Sequence, residues 1–311
     1  MEFKHIPILK DEIIENLNIK PNGTYVDCTV GGAGHSRSIC EKLNENGTII
    51  CFDKDEEALN VSIERLKEFK CNKHFIHADF HNYKESLNSL NIYNVDGVLI
   101  DLGVSSYQLD NKERGFSYMS EAKLDMRMDK SNNFSAYEVV NEYNAQNLTN
   151  ILYKYGEEPF TKSIVRNIIE YRKTKNIETT KELVEIIEKS VPTKVKVDKS
   201  ALKRVFQAIR IEVNGELDGL DNVLTDIIDS LKLGGRFCVL TFHSLEDRIV
   251  KNVFKLESVG CVCPPKTPIC ICNHKKQVEL ISKKPIVASE REQLFNSRSK
   301  SAKLRIIEKI I

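Results

Sequence analysis

The chain lacks any apolar run close to the roughly 18 residues that a membrane span needs. It lacks an N-terminal secretory pattern too: Met1 leads straight into charged residues, and residues 10–17 read as a short polar helix. Neither charge is in excess, since 46 Lys and Arg face 45 Asp and Glu for a formal net charge of +1. The molecule as a whole is no magnet for polyanions, and any nucleic-acid surface must come from local clustering of basic side chains. G-x-S-x-G, H-E-x-x-H and P-loop motifs are all missing, which removes the hydrolase readings. These absences leave a cytosolic, cytoplasmic protein with no membrane partner as the expectation. Nine cysteines without a secretory signal argue against a disulfide framework. Five of them, Cys28, Cys40, Cys51, Cys71 and Cys238, stand mostly in apolar runs and are expected in the core.

What is present is organised around Tyr25-Val26-Asp27-Cys28-Thr29-Val30-Gly31-Gly32-Ala33-Gly34-His35. A β-branched run meets an acid, then glycines, then a helical pattern, which is how an open α/β sheet builds a nucleotide-type pocket. The first hundred residues then alternate. Strands are predicted at 24–30, 48–52, 73–78 and 95–100, with helices at 35–43, 56–69 and around Tyr83, Leu87 and Leu90. Crossovers of this length imply a parallel sheet, with ligands beyond the carboxyl ends of its strands. Asp53, Asp79 and Asp101 all fall there.

The rhythm breaks after residue 101, and from 136 to 213 the periodicity is helical throughout. It resumes with a helix at 217–231 capped by Gly234-Gly235, a strand at 236–242 and a helix at 245–256. Strand-like runs follow at 277–281 and 303–307. With 41% hydrophobic residues the chain has enough apolar content for a core. The expected domains are residues 1–110 and 213–311, forming one interrupted α/β domain, and a helical insertion at 111–212.

The dinucleotide fingerprint G-x-G-x-x-G fails: counted from Gly32 and Gly34, the third position is Arg37. Asp53 follows Gly34 by 19 residues, close to the spacing of an acid on a ribose hydroxyl. Acids on successive strand ends would repel a pyrophosphate but suit a cationic nucleoside, and S-adenosylmethionine is such a ligand. Helix N-capping is the alternative role for each acid taken singly.

Several motifs together resemble the bacterial small-subunit ribosomal RNA cytosine-N4 methyltransferases, the RsmH (MraW) family. They are Thr29-Val30-Gly31-Gly32-Ala33-Gly34-His35-Ser36, Asp101-Leu102-Gly103-Val104-Ser105-Ser106, Glu113-Arg114-Gly115-Phe116-Ser117 and Leu124-Asp125-Met126-Arg127-Met128. Tyr155-Gly156-Glu157-Glu158, Phe206-Gln207-Ala208-Ile209-Arg210, Phe242-His243-Ser244-Leu245-Glu246-Asp247-Arg248 and Ser297-Arg298-Ser299-Lys300-Ser301-Ala302-Lys303-Leu304-Arg305 follow in order. The resemblance runs from His5 to the C-terminus. It implies a Rossmann-like, S-adenosylmethionine-dependent methyltransferase sheet with an inserted helical domain. The implied target is one cytosine in the P-site region of 16S rRNA within the small ribosomal subunit.

By motif match, Gly32, Ala33, Gly34 and His35 would contact the cofactor. Asp53 would take the ribose hydroxyls, Phe80 would lie against the adenine, and Asp101 and Gln108 would complete the pocket. Position 33 is Ala where many relatives have Gly, which is tolerable if the local φ is negative. Asp101 is the candidate catalytic acceptor for an N4 hydrogen, with a cofactor hydrogen bond or a helix cap as its other possible role. Many amine methylators carry an acid-Pro-Pro-aromatic motif where this chain has Asp101-Leu102-Gly103-Val104, so their mechanism does not simply transfer. Pro-Cys and Thr-Cys dipeptides, typical of C5 methylators, are absent. His243 beside Ser244 is read as structural or substrate-positioning, on the argument that neighbours in a strand face opposite ways.

Lys199, Lys203, Gln207 and Arg210 fall at helical spacing and form a candidate phosphate-binding stripe, with a solvated helix face as the alternative. Arg291, Arg298, Lys300, Lys303 and Arg305 form a second basic cluster. Tyr107, Phe116 and Phe134 are candidates to stack on an extruded base, or are core. Cys261, Cys263, Cys270 and Cys272 have the ligand type of a structural zinc, though C-x-C is tighter than usual and Pro264, Pro265 and Pro268 stiffen the loop. No residue is assigned to a catalytic metal. A small-molecule methyltransferase on the same fold and a non-catalytic RNA-binding protein remain open alternatives, with an NAD oxidoreductase more distant.

Overall fold

The computed structural model describes residues 7–264, 267 and 269–311; His5, where the resemblance begins, and Pro265 and Pro268 lie outside them. The chain divides into two compact units, residues 1–103 with 219–311, and residues 104–218.

In the first unit, α1 (Lys10–Leu17) precedes β1 (Thr24–Asp27), α2 (Gly34–Cys40), β2 (Thr48–Asp53), α3 (Glu56–Leu66), β3 (Asn72–His77), α4 (Tyr83–Ser89) and β4 (Val95–Asp101). The second unit holds α5 (Ser106–Asp110), α6 (Ala136–Glu142), α7 (Ala145–Lys154), α8 (Thr161–Arg172), α9 (Thr180–Ser190), α10 (Thr193–Asp198) and α11 (Ser200–Asn214). The chain returns to the first unit with α12 (Leu220–Ser230), β5 (Leu231–Thr241), α13 (Ser244–Glu257), β6 (Val278–Leu280), β7 (Ile286–Val287), α14 (Glu290–Phe295) and β8 (Lys303–Lys309).

The strands form one sheet in the order β3-β2-β1-β4-β5-β8-β6, with β7 pairing β8. Pairings from β3 through β5 are parallel, and β8 is antiparallel to β5, β6 and β7. The interior strands read as continuous apolar runs because both faces are covered, as parallel sheets require. Ile49, Ile50, Cys51 and Phe52 are all buried, as are Val98, Leu99 and Ile100. All five scattered cysteines are buried thiols. In register, Asp27 stands beside Cys51 and Leu99, so β1, β2 and β4 all run out at one edge of the sheet. This is a Rossmann-like α/β sheet, with strand order turning about β1 and β4.

One predicted boundary is wrong in an informative way. Gly234-Gly235 does not cap a helix; it lies inside β5, where the pairing with β4 jumps from Val95↔Leu231 to Gly97↔Arg236. Gly234 has φ +75°, and a Cβ on Gly235 would sit 2.8 Å from the Lys232 carbonyl. Two glycines after a helical pattern signal a β-bulge as well as a cap.

Some helix starts in the second unit carry capping boxes. Ser135 opens α6 with Glu138, and Thr179 opens α9 with Glu182. Among the described residues no helix is long and apolar enough to cross a membrane.

Candidate functional site

The site in the first unit begins where β1 ends. Asp27 is buried, and its carboxylate accepts from the Ser36 hydroxyl (2.6 Å) and the Thr29 amide (3.1 Å). It therefore ties the start of α2 to the end of the strand. Gly31 has φ +48° and its amide donates to Asp53 Oδ2 at 2.8 Å, so the acid ending β2 holds the glycine turn. Gly34 is needed for packing: a Cβ there would lie 2.4 Å from Pro7 Cγ.

Ala33 is the N-cap of α2 at φ +59°, ψ +23°, not at the negative φ that would make its methyl harmless. Its side chain is buried, so two effects oppose each other. The left-handed conformation costs an L-residue about 1–2 kcal/mol. Glycine removes that strain but forfeits a buried methyl, about 0.8 kcal/mol, and gains freedom when unfolded. Ala33→Gly should therefore change stability by less than about 1 kcal/mol, whereas Ala33→Val, β-branched at positive φ, should cost about 2–3 kcal/mol. Urea unfolding of both variants checks the pair, and a neutral valine would contradict the backbone assignment.

The acids differ sharply in their partners. Burial raises the Asp27 carboxyl to about 6, and burial likewise raises Asp53 to about 6 against the pull of the Asp55 and Gly31 amides. Burial also opposes ionisation of Asp79, but His81 and Lys54 outweigh it and hold that carboxyl well below its usual range. Lys54 Nζ lies 3.2 Å from Asp79, and the His81 amide and ring nitrogen both bond the same carboxylate. Asp79 is thus neutralised, and it caps the short 3-10 turn Phe80–Asn82. Asp101 is the opposite case. Burial, then the charges of Asp27 and Glu246, push it to about 8. Its amide donates to Thr29 Oγ1 at 2.7 Å, its Oδ2 lies 3.8 Å from His35 Nε2, and its buried Oδ1 has no hydrogen-bond partner among the described residues.

Phe80 follows β3 and stacks on His81, with ring centroids 4.7 Å apart. Gln108 belongs to the second unit, where it closes a capping box with Ser105: the Ser105 amide donates to Gln108 Oε1 (3.1 Å) and the Gln108 amide to Ser105 Oγ (3.2 Å). The structure thus brings Gly32, Ala33, Gly34, His35, Asp53 and Asp101 to one edge of the sheet.

Sequence reasoning overlooked Thr29 and Glu246. Glu246 is fully buried and accepts from the Phe242 (2.9 Å) and His243 (3.2 Å) amides. His243 is the N-cap of α13, its Nδ1 accepting from the Glu246 amide. The x-x-x-Glu spacing of a capping box was the available signal. The structural reading of His243 fits this geometry, but not for the reason given: Ser244 begins a helix, so the two residues are not strand neighbours.

In the second unit the recurring motifs fasten one another. Arg114 donates to the Arg127 and Met128 carbonyls, Gln207 to the Tyr155 carbonyl at 3.1 Å, and Arg204 to buried Glu158 at 2.7 Å. The proposed basic stripe is mostly consumed in this way. Arg210 grips Glu216 through two 2.8 Å contacts, and Lys199 is the N-cap of α11, outside its body. Lys203 stays exposed. In the first unit Lys303 and Arg305 both bond Asp247, while Arg291 and Lys300 are exposed. Phe116 is core and Phe134 packs on Tyr143, leaving half-exposed Tyr107 of the three aromatic candidates. A groove of about 770 Å³ in the second unit is lined by Tyr143, Asn147, Tyr153, Lys154, Tyr155 and Glu212, a polar aromatic surface that the sequence did not single out.

The glycine turn, the strand-end acids and the unpartnered Asp101 oxygen fit a cationic nucleoside and not a pyrophosphate. Sequence comparison with known proteins agrees with methyl transfer. The chain is 54% identical to the ribosomal RNA small subunit methyltransferase H of Finegoldia magna over the full length of both, and 52% identical to that of Clostridioides difficile, again over the full length of both. Among solved structures, an rRNA methylase from Streptococcus thermophilus aligns over 97% of this chain and 94% of its own, at 12% identity and TM-score 0.41. The model of the MraW methylase family matches residues 2–310, and the chain belongs to that family.

Proposed function

We propose that this chain transfers the methyl group of S-adenosylmethionine to the exocyclic N4 of a cytosine in 16S rRNA within the small ribosomal subunit. The observation that carries the reading is full-length identity above 50% to proteins named ribosomal RNA small subunit methyltransferase H. The bound cofactor supplies an electrophilic methyl on a sulfonium. Gly32, Ala33, Gly34 and His35 would form one wall of its site, Asp53 would take ribose hydroxyls with the lone pairs that the Gly31 and Asp55 amides leave, and Phe80 would cover the adenine. Asp101 has a buried oxygen to spend on a cation or on an N4 hydrogen. Gln108 belongs to the other unit, where it is held in its capping box.

An exocyclic cytosine amine is a weak nucleophile because its lone pair is delocalised into the ring. Holding it in line with the methyl group is the main lever. Asp101, ionised, would accept an N4 hydrogen as the nitrogen rehybridises and gains positive charge. Its backbone is fixed through Thr29, so the acceptor is preorganised. The helical insertion is the substrate domain in this reading. Its tyrosine-rich groove gives bases aromatic surface and Lys154 gives a phosphate a cation. Action in the cytoplasm follows from that substrate. Any zinc on the four-cysteine loop would serve structure and take no part in transfer.

The test incubates the protein with methyl-labelled S-adenosylmethionine and ribosomal subunits from cells lacking the endogenous modification. Label is expected in small-subunit rRNA and not in large-subunit rRNA. Calorimetric absence of cofactor binding would instead favour a non-catalytic RNA-binding protein, and label found only in small molecules would overturn the RNA assignment.

A further inference from the structure

Between α13 and β6 the chain runs through residues 258–277, and none of the described residues there is buried. Val262, Ile269 and Ile271 all point to solvent, the last two more than three-quarters exposed. A loop this long with no apolar core needs another source of order. Its two ends are anchored: His274 Nε2 pairs with the Leu256 carbonyl at 2.9 Å, and the Gln277 amide donates to the Glu257 carbonyl at 2.9 Å. Its middle is gathered around sulfur.

Cys261, Cys263, Cys270 and Cys272 converge so that their Sγ atoms all lie within 4.8 Å of one another. Cys270 Sγ lies 3.5 Å from Cys261, 3.5 Å from Cys272 and 4.0 Å from Cys263, and Cys272 lies 3.8 Å from Cys261. A zinc–thiolate bond of about 2.3 Å puts the corners of a tetrahedron about 3.8 Å apart. The observed separations bracket that edge. They do not describe two disulfides, in which each sulfur would have a single partner at about 2.05 Å.

The backbone reinforces the pattern. The Val262 amide donates to Cys272 Sγ (3.4 Å), and the Ile271 amide donates to Cys263 Sγ (3.5 Å). Each Cys-x-Cys pair thus gives its central amide to the last sulfur of the other pair. Amides aimed at sulfur stabilise thiolate, the form that binds metal, and orient it. The tight C-x-C spacing, which looked unfavourable in sequence, is what creates this reciprocity.

We propose that Cys261, Cys263, Cys270 and Cys272 hold one structural zinc ion that orders the described residues between α13 and β6. Four soft thiolates in a closed tetrahedron select zinc by ligand type and leave no open position for substrate.

The test is elemental analysis of the full-length protein purified without chelator, from cells grown with ample zinc and iron. One zinc per chain is expected. Cys270→Ser, which removes the sulfur nearest all three others, should lose it, while His274→Asn should keep it. Protein stripped of metal and refilled with cobalt(II) should show the absorption of a tetrahedral tetrathiolate site, and the stripped loop should be cut by protease while the sheet stays folded. Absence of zinc, iron in its place, two disulfides by thiol titration, or full zinc retention in the Cys270→Ser, Cys272→Ser double variant would each overturn the assignment.

Discussion

Asp101→Asn is expected to lower turnover at saturating cofactor and RNA by about 10²–10³-fold while making the protein more stable at neutral pH. The two effects share one cause. Asp101 carries a buried oxygen without a partner and is pushed to about 8 by burial and by Asp27 and Glu246. A buried acid strained in this way is a candidate for a functional role, and in the proposed mechanism its isosteric amide would relieve the strain and lose the acceptor. If Asp101 served only to bind cofactor, the variant would show a raised dissociation constant but near-normal turnover at saturation. Normal cofactor binding with near-wild-type turnover would end the catalytic assignment.

The pH dependence follows with a definite sign. The folded value of Asp101, about 8, lies above the ordinary 3.8, so between those limits the native state holds more protons than the unfolded state. The stability linked to this group is present in full below pH 3.8 and is lost as pH rises towards 8. Asp101→Asn should flatten that slope. In the proposed mechanism activity runs the other way, because Asp101 would act as an ionised acceptor: kcat/KM for the cofactor should rise with pH up to about 8. A bound cation lowers the carboxyl's value, so kcat should reach its plateau at a lower pH than kcat/KM does.

The second large effect lies in the helical unit. Arg204→Met should destabilise the protein by about 3–5 kcal/mol, because it leaves the Glu158 carboxylate buried without its cation. Glu158 has no exposed side-chain surface, and its other partner is the Phe160 amide at 2.8 Å. Adding Glu158→Gln to Arg204→Met removes the charge and keeps that amide's acceptor, so the double variant should recover a large part of the loss. Urea unfolding of the three variants measures both numbers. An Arg204→Met protein within about 1 kcal/mol of the parent would show the pair to behave as a surface bridge.

Legibility from sequence followed the physics of each element. The strands were readable because a sheet covered on both faces needs apolar runs, and β2 and β4 supply them. The positions of Asp53 and Asp101 at the ends of β2 and β4 were readable because each closes an apolar run. The partners of the acids were not. That Lys54 and His81 neutralise Asp79 while Asp101 keeps an oxygen free depends on side-chain directions that no spacing rule carries. The basic stripe misled for a related reason. Helical spacing put Gln207 and Arg210 on one face, but that face meets Tyr155 and Glu216, not water alone. Gly234-Gly235 misled because a cap and a bulge make the same demand on glycine. The sulfur cluster was visible as composition, while its tetrahedral spacing and crossed amide bonds required the fold.

The central claim is methyl transfer to one particular nitrogen, and the position of the label tests it most directly. Unmodified small subunits are methylated with isotope-labelled S-adenosylmethionine, the rRNA is digested to nucleosides, and the labelled nucleoside is identified by mass spectrometry. The account predicts N4-methylcytidine at a single site. Label on C5 of cytosine or on a ribose oxygen would contradict it.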